Sequence, residues 1–215
     1  MRPTVRLLCS LPLVLAACTP GAPEEPAPIQ APSRPLAALV AQQIIVAPVN
    51  SLREVDPLGW TQQIPRSREF MRAFDDAFEK ELGARGLTQW VYPAALVRAG
   101  RGSPAYAVDP YAIAAEPLRA ERVDATKRLS DPLASQLRMM IALQETARAV
   151  LIPAELHFDK TPDGQGVAVL RVALVDGRTS EIRWMGDVRS APVATFSRDI
   201  LTSLVAHTAD LIAAR

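Results

Sequence analysis

The chain has 215 residues, of which 49% are hydrophobic and 22% charged, so it has enough apolar side chains for a packed core and is not a disordered protein. Its formal net charge is +1. This near-neutral balance gives no electrostatic indication of binding to nucleic acids, which requires a basic surface to displace counterions. The length favours one folded domain, alone or with a tail.

The first residues have the pattern of a bacterial export signal. Residues 1–6 carry two positive charges, and residues 7–17 form an apolar run of 11 residues. Such a run is typical of a signal-peptide core, and it is shorter than the ~20 residues of a membrane-spanning helix. Leu15-Ala16-Ala17-Cys18 then resembles the lipobox of bacterial lipoproteins. We therefore predict a lipoprotein signal peptide at residues 1–17 and lipid on Cys18, with an ordinary secretory signal and a chance cysteine as the alternative.

Removal of this signal would leave a near-neutral chain without a free thiol. Loss of Arg2 and Arg6 from the 24 basic residues leaves 22, against 23 acidic residues. Cys9 would be discarded and Cys18 acylated, which suits an oxidising compartment. Attachment to the membrane would then depend on the lipid, because the sequence has no polybasic run. Thr19 directly follows Cys18, at the position where an aspartate favours retention in the inner membrane in enterobacterial lipoproteins. Because this aspartate is missing, we expect the protein to be anchored in the outer membrane, with retention in the inner membrane as the alternative.

Residues 18–35 are predicted to be the lipidated cysteine and a Pro-rich linker. Proline occurs at six of the positions from 20 to 35, so the segment cannot form a helix and has little to bury. We expect a semi-extended linker that reaches roughly 50 Å at about 3 Å per residue. It is either filler or a spacer that carries the domain toward a distant target.

The first half of the domain is predicted to form a strand, a helix and a second strand. Residues 42–49 form a short apolar run that predicts a buried strand, and residues 51–66 contain loop signals. Residues 67–82 predict a helix with Ser67 as its N-cap and Gly83 or Gly86 at its end. One apolar stripe follows this helix, at Phe70, Phe74, Phe78 and Leu82. Residues 88–92 predict a second strand.

The second half of the domain ends in hairpin-linked strands. Residues 94–131 are interrupted by glycine and proline and predict at most short helices near 94–98 and 110–115. A helix is expected over 132–148, capped by Asp131, and a last one over 195–213. Between them we predict strands at residues 150–158, 167–175 and 181–189, which form an antiparallel meander.

These elements predict an α/β fold that leans toward α+β. We expect a mixed sheet of about five strands, three main helices, and a C-terminal antiparallel meander followed by a helix. The whole of residues 36–215 is interpreted as a single periplasmic α/β domain. No internal repeat is evident in the sequence.

The sequence contains no recognisable catalytic motif. Its two histidines, His157 and His207, lie on different predicted elements, and neither has a second ligand at metal spacing. No Gly-x-Ser-x-Gly nucleophile elbow and no Walker A loop occurs. We therefore expect no enzymatic activity, no cofactor and no metal.

A polar strand face is the candidate partner surface. Glu155, His157 and Asp159 alternate along one predicted strand, so their side chains share a face. Arg171, Arg183 and Glu181 are expected on the same side of the meander. The predicted partner surface therefore consists of Glu155, His157, Arg171 and Arg183, with solvation of an open face as the alternative. The irregular segment 94–131 is a second candidate, because binding residues concentrate on loops.

The layout resembles a group of periplasmic lipoprotein domains. The resembling stretches are QQIIVAPVN at the first strand, ETARAVLIPAELHF before the meander, and LVDGRTSEIRWMG at the last hairpin. The group includes the penicillin-binding-protein activator LpoB and the curli secretion lipoprotein CsgG, and it is similar in fold to the N-terminal domain of TolB. Segment 94–131 is long for such an activator, and the amphipathic transmembrane hairpins of a curli-type channel are absent from the sequence.

The resemblance implies a non-enzymatic protein-binding module on a periplasmic envelope machine. A peptidoglycan synthase, that is, a cell-wall synthase, is the expected kind of partner. The alternative is a subunit of an envelope secretion or assembly complex that self-associates.

Overall fold

Four strands form one mixed sheet in the computed structural model of the chain. They are β1 (Ile44–Val46), β2 (Ala149–Lys160), β3 (Gly166–Asp176) and β4 (Glu181–Arg189), and they lie in this order across the sheet. β1 runs parallel to β2, whereas β2, β3 and β4 are antiparallel. The expected C-terminal meander is confirmed, and β4 has the predicted bounds.

The structure describes residues 34–120, 128–144 and 146–214. The predicted signal peptide, Cys18 and residues 18–33 of the predicted linker lie outside the described residues. None of the helices that the described residues form is long and apolar enough to cross a membrane.

Helices cover both faces of the sheet. α1 (Ser67–Ala84) and α4 (Asp199–Asp210) pack on one side, which we call the α1–α4 face. α2 (Pro93–Gly102) and α3 (Leu133–Ala142) pack on the other side, the α2–α3 face. Each face has its own apolar layer, so the core consists of two layers separated by the sheet.

The apolar stripe of α1 forms the centre of the first layer. Phe74, Phe78 and Leu82 are at most 1% exposed, and Phe70 is buried beside them. Ser67 is the first helical residue and not the N-cap, because Arg66 occupies the cap position without a side-chain bond. At the other end Gly86 takes the left-handed conformation with φ 86°, and the N–H of Leu87 donates to the carbonyl of Leu82.

The prediction of about five strands is wrong by one. Residues 88–92 form a single bridge, between Val91 and Ile45, because the chain turns before it and Pro93 starts α2 after it. The strand predicted over 42–49 is limited to Ile44–Val46. Residues beyond it still follow β2, since the N–H of Asn50 donates to the carbonyl of Pro153.

The described residues form four α-helices where three main helices were predicted. The additional one is α2, which extends the short helix expected near 94–98. Three-residue 3-10 helices follow it within the irregular segment, at Pro104–Tyr106, Pro110–Ala112 and Glu116–Leu118. α3 and α4 are both shorter than predicted. Just after the end of α4, the N–H of Leu36 donates to the carbonyl oxygen of Leu211.

Two β-bulges shift the register of the meander. One lies between Pro153 and Glu155 in the β2–β3 pair, and the other is the extra residue Arg183 in the β3–β4 pair. The sequence of β4 predicts strict alternation, with Ile182, Trp184 and Val188 on one side, and the second bulge overturns this expectation. Ile182 belongs to the α2–α3 face, whereas Trp184 and Val188 belong to the α1–α4 face.

Candidate functional site

A row of charged residues crosses three strands of the α2–α3 face. Glu155 on β2 lies opposite Arg171 on β3, and Arg171 lies opposite Asp187 on β4. Each bulge shifts its strand pair by one residue, and only this shift aligns the three side chains. Bulges often redirect side chains beside functional sites, so this row is a candidate functional site.

Arg171 is held on several sides. Its Nε and Nη2 donate to the two carboxylate oxygens of Asp187 at 2.9 and 3.1 Å. Its Nη1 donates to the carbonyl oxygens of Arg119 and Ala120 at 3.1 and 2.6 Å. The two bonds from Arg171 lower the pKa of the Asp187 carboxyl, because they stabilise its ionised form. The guanidinium therefore has a single, fixed orientation.

The middle of the row is buried and its margin is exposed. The side chains of Glu155, His157 and Arg171 are 10%, 12% and 14% exposed. Arg53, which pairs with Glu155, is 44% exposed, and the pair Arg189–Asp159 is 58% and 42% exposed at an N–O distance of 3.5 Å. We call these residues, together with Asp187, the charged cluster. The alternative of an open, solvated face does not hold for the centre of the cluster, because Arg53 and the backbone of residues 119–120 cover it.

His157 lies within the charged cluster without a close partner. Its Nδ1 is buried and makes no hydrogen bond with the described residues, and it lies 3.8 Å from Oε2 of Glu155. Burial lowers the pKa of His157, and the nearby charge of Arg53 lowers it further. The imidazole is therefore neutral at pH 7 and does not add to the positive charge of the cluster.

The structure separates Arg183 from the other predicted partner residues. Its guanidinium pairs with Asp176 at 3.0 Å and with Glu181 at 3.6 Å, at the hairpin end of the meander. Asp176 lies five residues along β3 from Arg171, which corresponds to roughly 16 Å. The predicted surface therefore divides into Glu155, His157 and Arg171 at one end and Arg183 at the other.

Sequence reasoning missed three members of the charged cluster. Arg53 lies in a segment interpreted as loop, and no periodic pattern links it to β2. Asp187 and Arg189 lie on a strand that was recognised. However, if β4 paired with β3 from the hairpin turn without a bulge, Gly186 and not Asp187 would lie opposite Arg171.

The charged cluster is suited to recognition by charge. Its cations and carboxylates are paired with one another, and these are side chains of opposite sign held in fixed positions. Among the described residues, no group of three or more His, Cys, Asp or Glu could hold a metal ion. His207 lies elsewhere, with Nδ1 2.6 Å from the carbonyl oxygen of Arg189.

A pocket of about 380 Å³ lies between α1 and the irregular segment. Asp75 lines it and accepts a hydrogen bond of 2.9 Å from the N–H of Val49. Burial raises the pKa of Asp75 to about 7, against the effect of that bond. The guanidinium of Arg72 lies 5.6 Å from the ring centre of Tyr111 at the same pocket. Through its bond from Val49, Asp75 links α1 to the chain after β1.

A larger groove of about 660 Å³ lies on the α1–α4 face. Phe70 and Phe196 line it, and their ring centres are 6.1 Å apart. Trp60 and Phe158 pack behind them and complete a cluster of four rings. The groove is an apolar depression with charged side chains at its margin.

Comparisons with known proteins give matches to solved structures only. No protein-family model matches the chain, and no curated protein matches it.

The matches to solved structures have low sequence identity and TM-scores below 0.5. A PelC dodecamer from Paraburkholderia phytofirmans matches with 12% identity and a TM-score of 0.40, covering 85% of this chain and 95% of the other. The C-terminal domain of LpoB from Salmonella enterica matches with 15% identity and a TM-score of 0.37, covering 69% and 81%. LpoB from E. coli matches with 16% identity and a TM-score of 0.36, covering 89% and 91%. At this identity no residue of those proteins is transferred to a position in this chain.

Proposed function

We propose that this chain is a membrane-anchored, non-enzymatic lipoprotein of the cell envelope that binds another protein through the charged cluster. It would be exported, cut before Cys18 and held by lipid in the outer membrane, with its domain in the periplasm. Its partner would belong to an envelope machine, and a peptidoglycan synthase is the member that we favour.

The observation that carries this proposal is the alignment of Glu155, Arg171 and Asp187 by two bulges. A sheet that served only to close a core would gain nothing from burying the charges of Glu155 and Arg171, because burial removes them from water at a cost. Here the cost is offset by pairing, and the pairs fix the charges in position. Fixed charges favour recognition, because little side-chain freedom is lost when a partner binds.

Contact would be made by the exposed margin of the charged cluster. Arg53, Asp159 and Arg189 are each more than two-fifths exposed. The long Arg189–Asp159 pair can open, so that each side chain meets an opposite charge on the partner. Complementary charges of this kind raise the rate of association and select the partner more than they raise affinity.

The predicted linker fits a partner that is distant from the membrane. A segment with proline at six positions between 20 and 35 has a predicted reach of roughly 50 Å. We propose that this reach allows the anchored domain to contact a protein complex that is attached elsewhere in the envelope.

Lipid attachment can be tested at the two cysteines. Cells that express the full chain would be fed an alkyne fatty acid, and the labelled protein would be measured in membrane fractions. Cys18→Ala should abolish the label and release the protein from membranes. Cys9→Ala is the matched control and should keep both. Equal labelling of the two variants would contradict the anchor.

Binding to a foreign partner can be tested by cross-linking intact envelopes and capturing the tagged protein. A dominant foreign protein, identified by mass spectrometry, supports the proposal and names the target. Recovery of the chain mainly with itself, as a high-mass species, would overturn it and favour the alternative of a self-associating secretion or assembly subunit.

A further inference from the structure

The pocket of about 380 Å³ between α1 and the irregular segment is lined by charges of both signs. α1 contributes Arg68, Arg72 and Asp75, which lie on one face of the helix at spacings of four and three residues. The irregular segment contributes Asp109 and Tyr111. We call this space the α1 pocket, and none of these residues belongs to the charged cluster.

The charges on α1 do not pair with one another. Residues three or four positions apart on a helix are near enough for ion pairs, yet Arg68 and Arg72 form none with any described residue. The guanidinium of Arg72 lies instead 5.6 Å from the ring centre of Tyr111. Asp75 accepts a bond of 2.9 Å from the N–H of Val49, and no side chain in the described ranges donates to it. The α1 pocket therefore holds two cations and a carboxylate close together without direct contact.

Asp75 and Tyr111 face the same space. Burial raises the pKa of Asp75 to about 7, although the N–H of Val49 stabilises its ionised form. Burial also raises the pKa of Tyr111, and the charge of Asp75 raises it further, because the two groups lie near each other. Above pH 7 the carboxyl of Asp75 is mostly ionised and has lost part of its solvation. A cation bound beside this carboxylate would offset that loss.

These features favour a ligand with two opposite charges at a short separation. A carboxylate between Arg68 and Arg72 would accept N–H groups from both and offset their mutual repulsion. An ammonium group would pair with the carboxylate of Asp75. Arg72 and Asp75 are neighbours on the helix surface, so only a few atoms can separate the two charges of the ligand. An α-amino acid meets this condition, whereas a simple anion or cation would also meet a charge of its own sign.

We propose that the α1 pocket binds a free α-amino acid with an apolar side chain, its carboxylate held by Arg68 and Arg72 and its ammonium group by Asp75. Val49 and Met71 also line the pocket and supply apolar contacts for the side chain. The volume of about 380 Å³ is near the lower end of small-molecule sites, which span roughly 300–1,000 Å³. The space therefore suits a ligand as small as a single amino acid.

The α1 pocket is connected to the residues that cover the charged cluster. Asn50 lines the pocket, and its Nδ2 donates to the carbonyl of Ile113 at 2.9 Å. Its Oδ1 accepts a hydrogen bond from the guanidinium of Arg119, whose carbonyl oxygen accepts one from Arg171 at 3.1 Å. A bound amino acid would hold α1 and the irregular segment together beside this chain of bonds. Its binding depends neither on the lipid anchor nor on a foreign partner, so its failure would leave the proposed function untouched.

Isothermal titration calorimetry of the full chain with leucine at pH 7.5 is the first test. We expect a dissociation constant of about 1 mM or lower. N-acetyl-leucine lacks the ammonium group and leucinamide lacks the carboxylate, so each should bind at least about tenfold more weakly. No binding of leucine would overturn the proposal. N-acetyl-leucine binding as tightly as leucine would show an anion site, leucinamide binding as tightly would show a cation site, and either result would overturn it.

Variants of the α1 pocket are the second test. Arg72→Gln and Asp75→Asn should each weaken leucine binding at least about tenfold, because each removes one charge that the ligand meets. Circular dichroism checks that both variants are folded, and Asp75→Asn keeps an acceptor for the N–H of Val49. Asp76→Asn is the matched control, because Asp76 is the exposed neighbour on the same helix, and it should bind leucine like wild type. Unchanged binding by both pocket variants, or an equal loss in Asp76→Asn, would overturn the proposal.

Discussion

The α1–α4 face of the sheet is covered by an apolar layer along most of β2, whereas the α2–α3 face changes from apolar to charged along the same strand. β2 contributes Leu151, Leu156 and Phe158 to the first face. To the second face it contributes Ile152 near one end and Glu155 nearer the other. The first face stabilises the domain by burial alone. The second combines burial with fixed charges, and we place the partner surface there.

The largest effect on the free energy of unfolding is expected from a substitution in the apolar layer of the α1–α4 face. Phe74 is fully buried on α1, so Phe74→Ala should lower the free energy of unfolding by about 3–5 kcal/mol, through lost burial and the cavity left behind. Chemical denaturation monitored by circular dichroism measures this. Phe74→Leu is the conservative control and should cost less. A loss below about 1 kcal/mol for the alanine variant would show that this layer is not the main source of stability.

The charged cluster should be the next most sensitive region. Arg171→Ala should lower the free energy of unfolding by about 2–3 kcal/mol, because it leaves Asp187 and two backbone carbonyls without their donor. Arg183→Ala is the matched control at the other end of the meander. Its side chain is 53% exposed, and it should change stability by less than about 1 kcal/mol. Equal losses of stability for the two variants would contradict the claim that the charges around Arg171 matter more for the fold than those at the hairpin end.

A third prediction concerns the pH dependence of the link between α1 and the chain after β1. The pKa of Asp75 is raised to about 7 in the folded protein, above its ordinary value of 3.8. The folded state therefore holds this proton more tightly than the unfolded state, and stability falls as pH rises from about 4 to 7. Asp75→Asn keeps an acceptor for the N–H of Val49 and carries no charge. It should stabilise the protein by about 2 kcal/mol at pH 8 and by little at pH 4.

Thermal unfolding across this pH range, with the two variants compared to wild type, tests the assignment. Asp76→Asn is the control, because Asp76 is the exposed neighbour on the same helix. It should leave most of the pH dependence in place. A parallel pH profile for Asp75→Asn and wild type would contradict the role of Asp75.

The smallest effect on stability is expected at the exposed margin of the charged cluster. The Arg189–Asp159 pair is long and solvated, so Arg189→Ala should change the free energy of unfolding by less than about 1 kcal/mol. The same variant should recover less of the foreign partner when the tagged protein is captured from cross-linked envelopes. A large loss of stability together with unchanged recovery of the partner would mean that the pair supports the fold and not recognition.

Periodicity predicted the first face and failed on the second for a physical reason. The stripe of phenylalanines on α1 and the apolar runs of β2 and β3 indicated that helix and the strands of the meander. The bulges at Pro153–Glu155 and at Arg183 leave no periodic signal, yet each shifts every later pair by one residue. Arg171 was therefore recognised as a candidate and its partner Asp187 was not. Arg53 was missed because tertiary contact alone, and not sequence spacing, brings it to Glu155.

The most direct test of the partner surface is a charge-swapped pair in the envelope capture. Asp159→Lys combined with Arg189→Glu retains an ion pair at this position but reverses the charges that a partner meets. Arg66→Glu combined with Glu69→Lys is the matched control, because it swaps an exposed pair 2.9 Å apart at the start of α1. We predict that wild type and the α1 swap recover the same foreign protein and that the 159/189 swap loses it. Equal recovery by all three proteins would contradict recognition through the charged cluster.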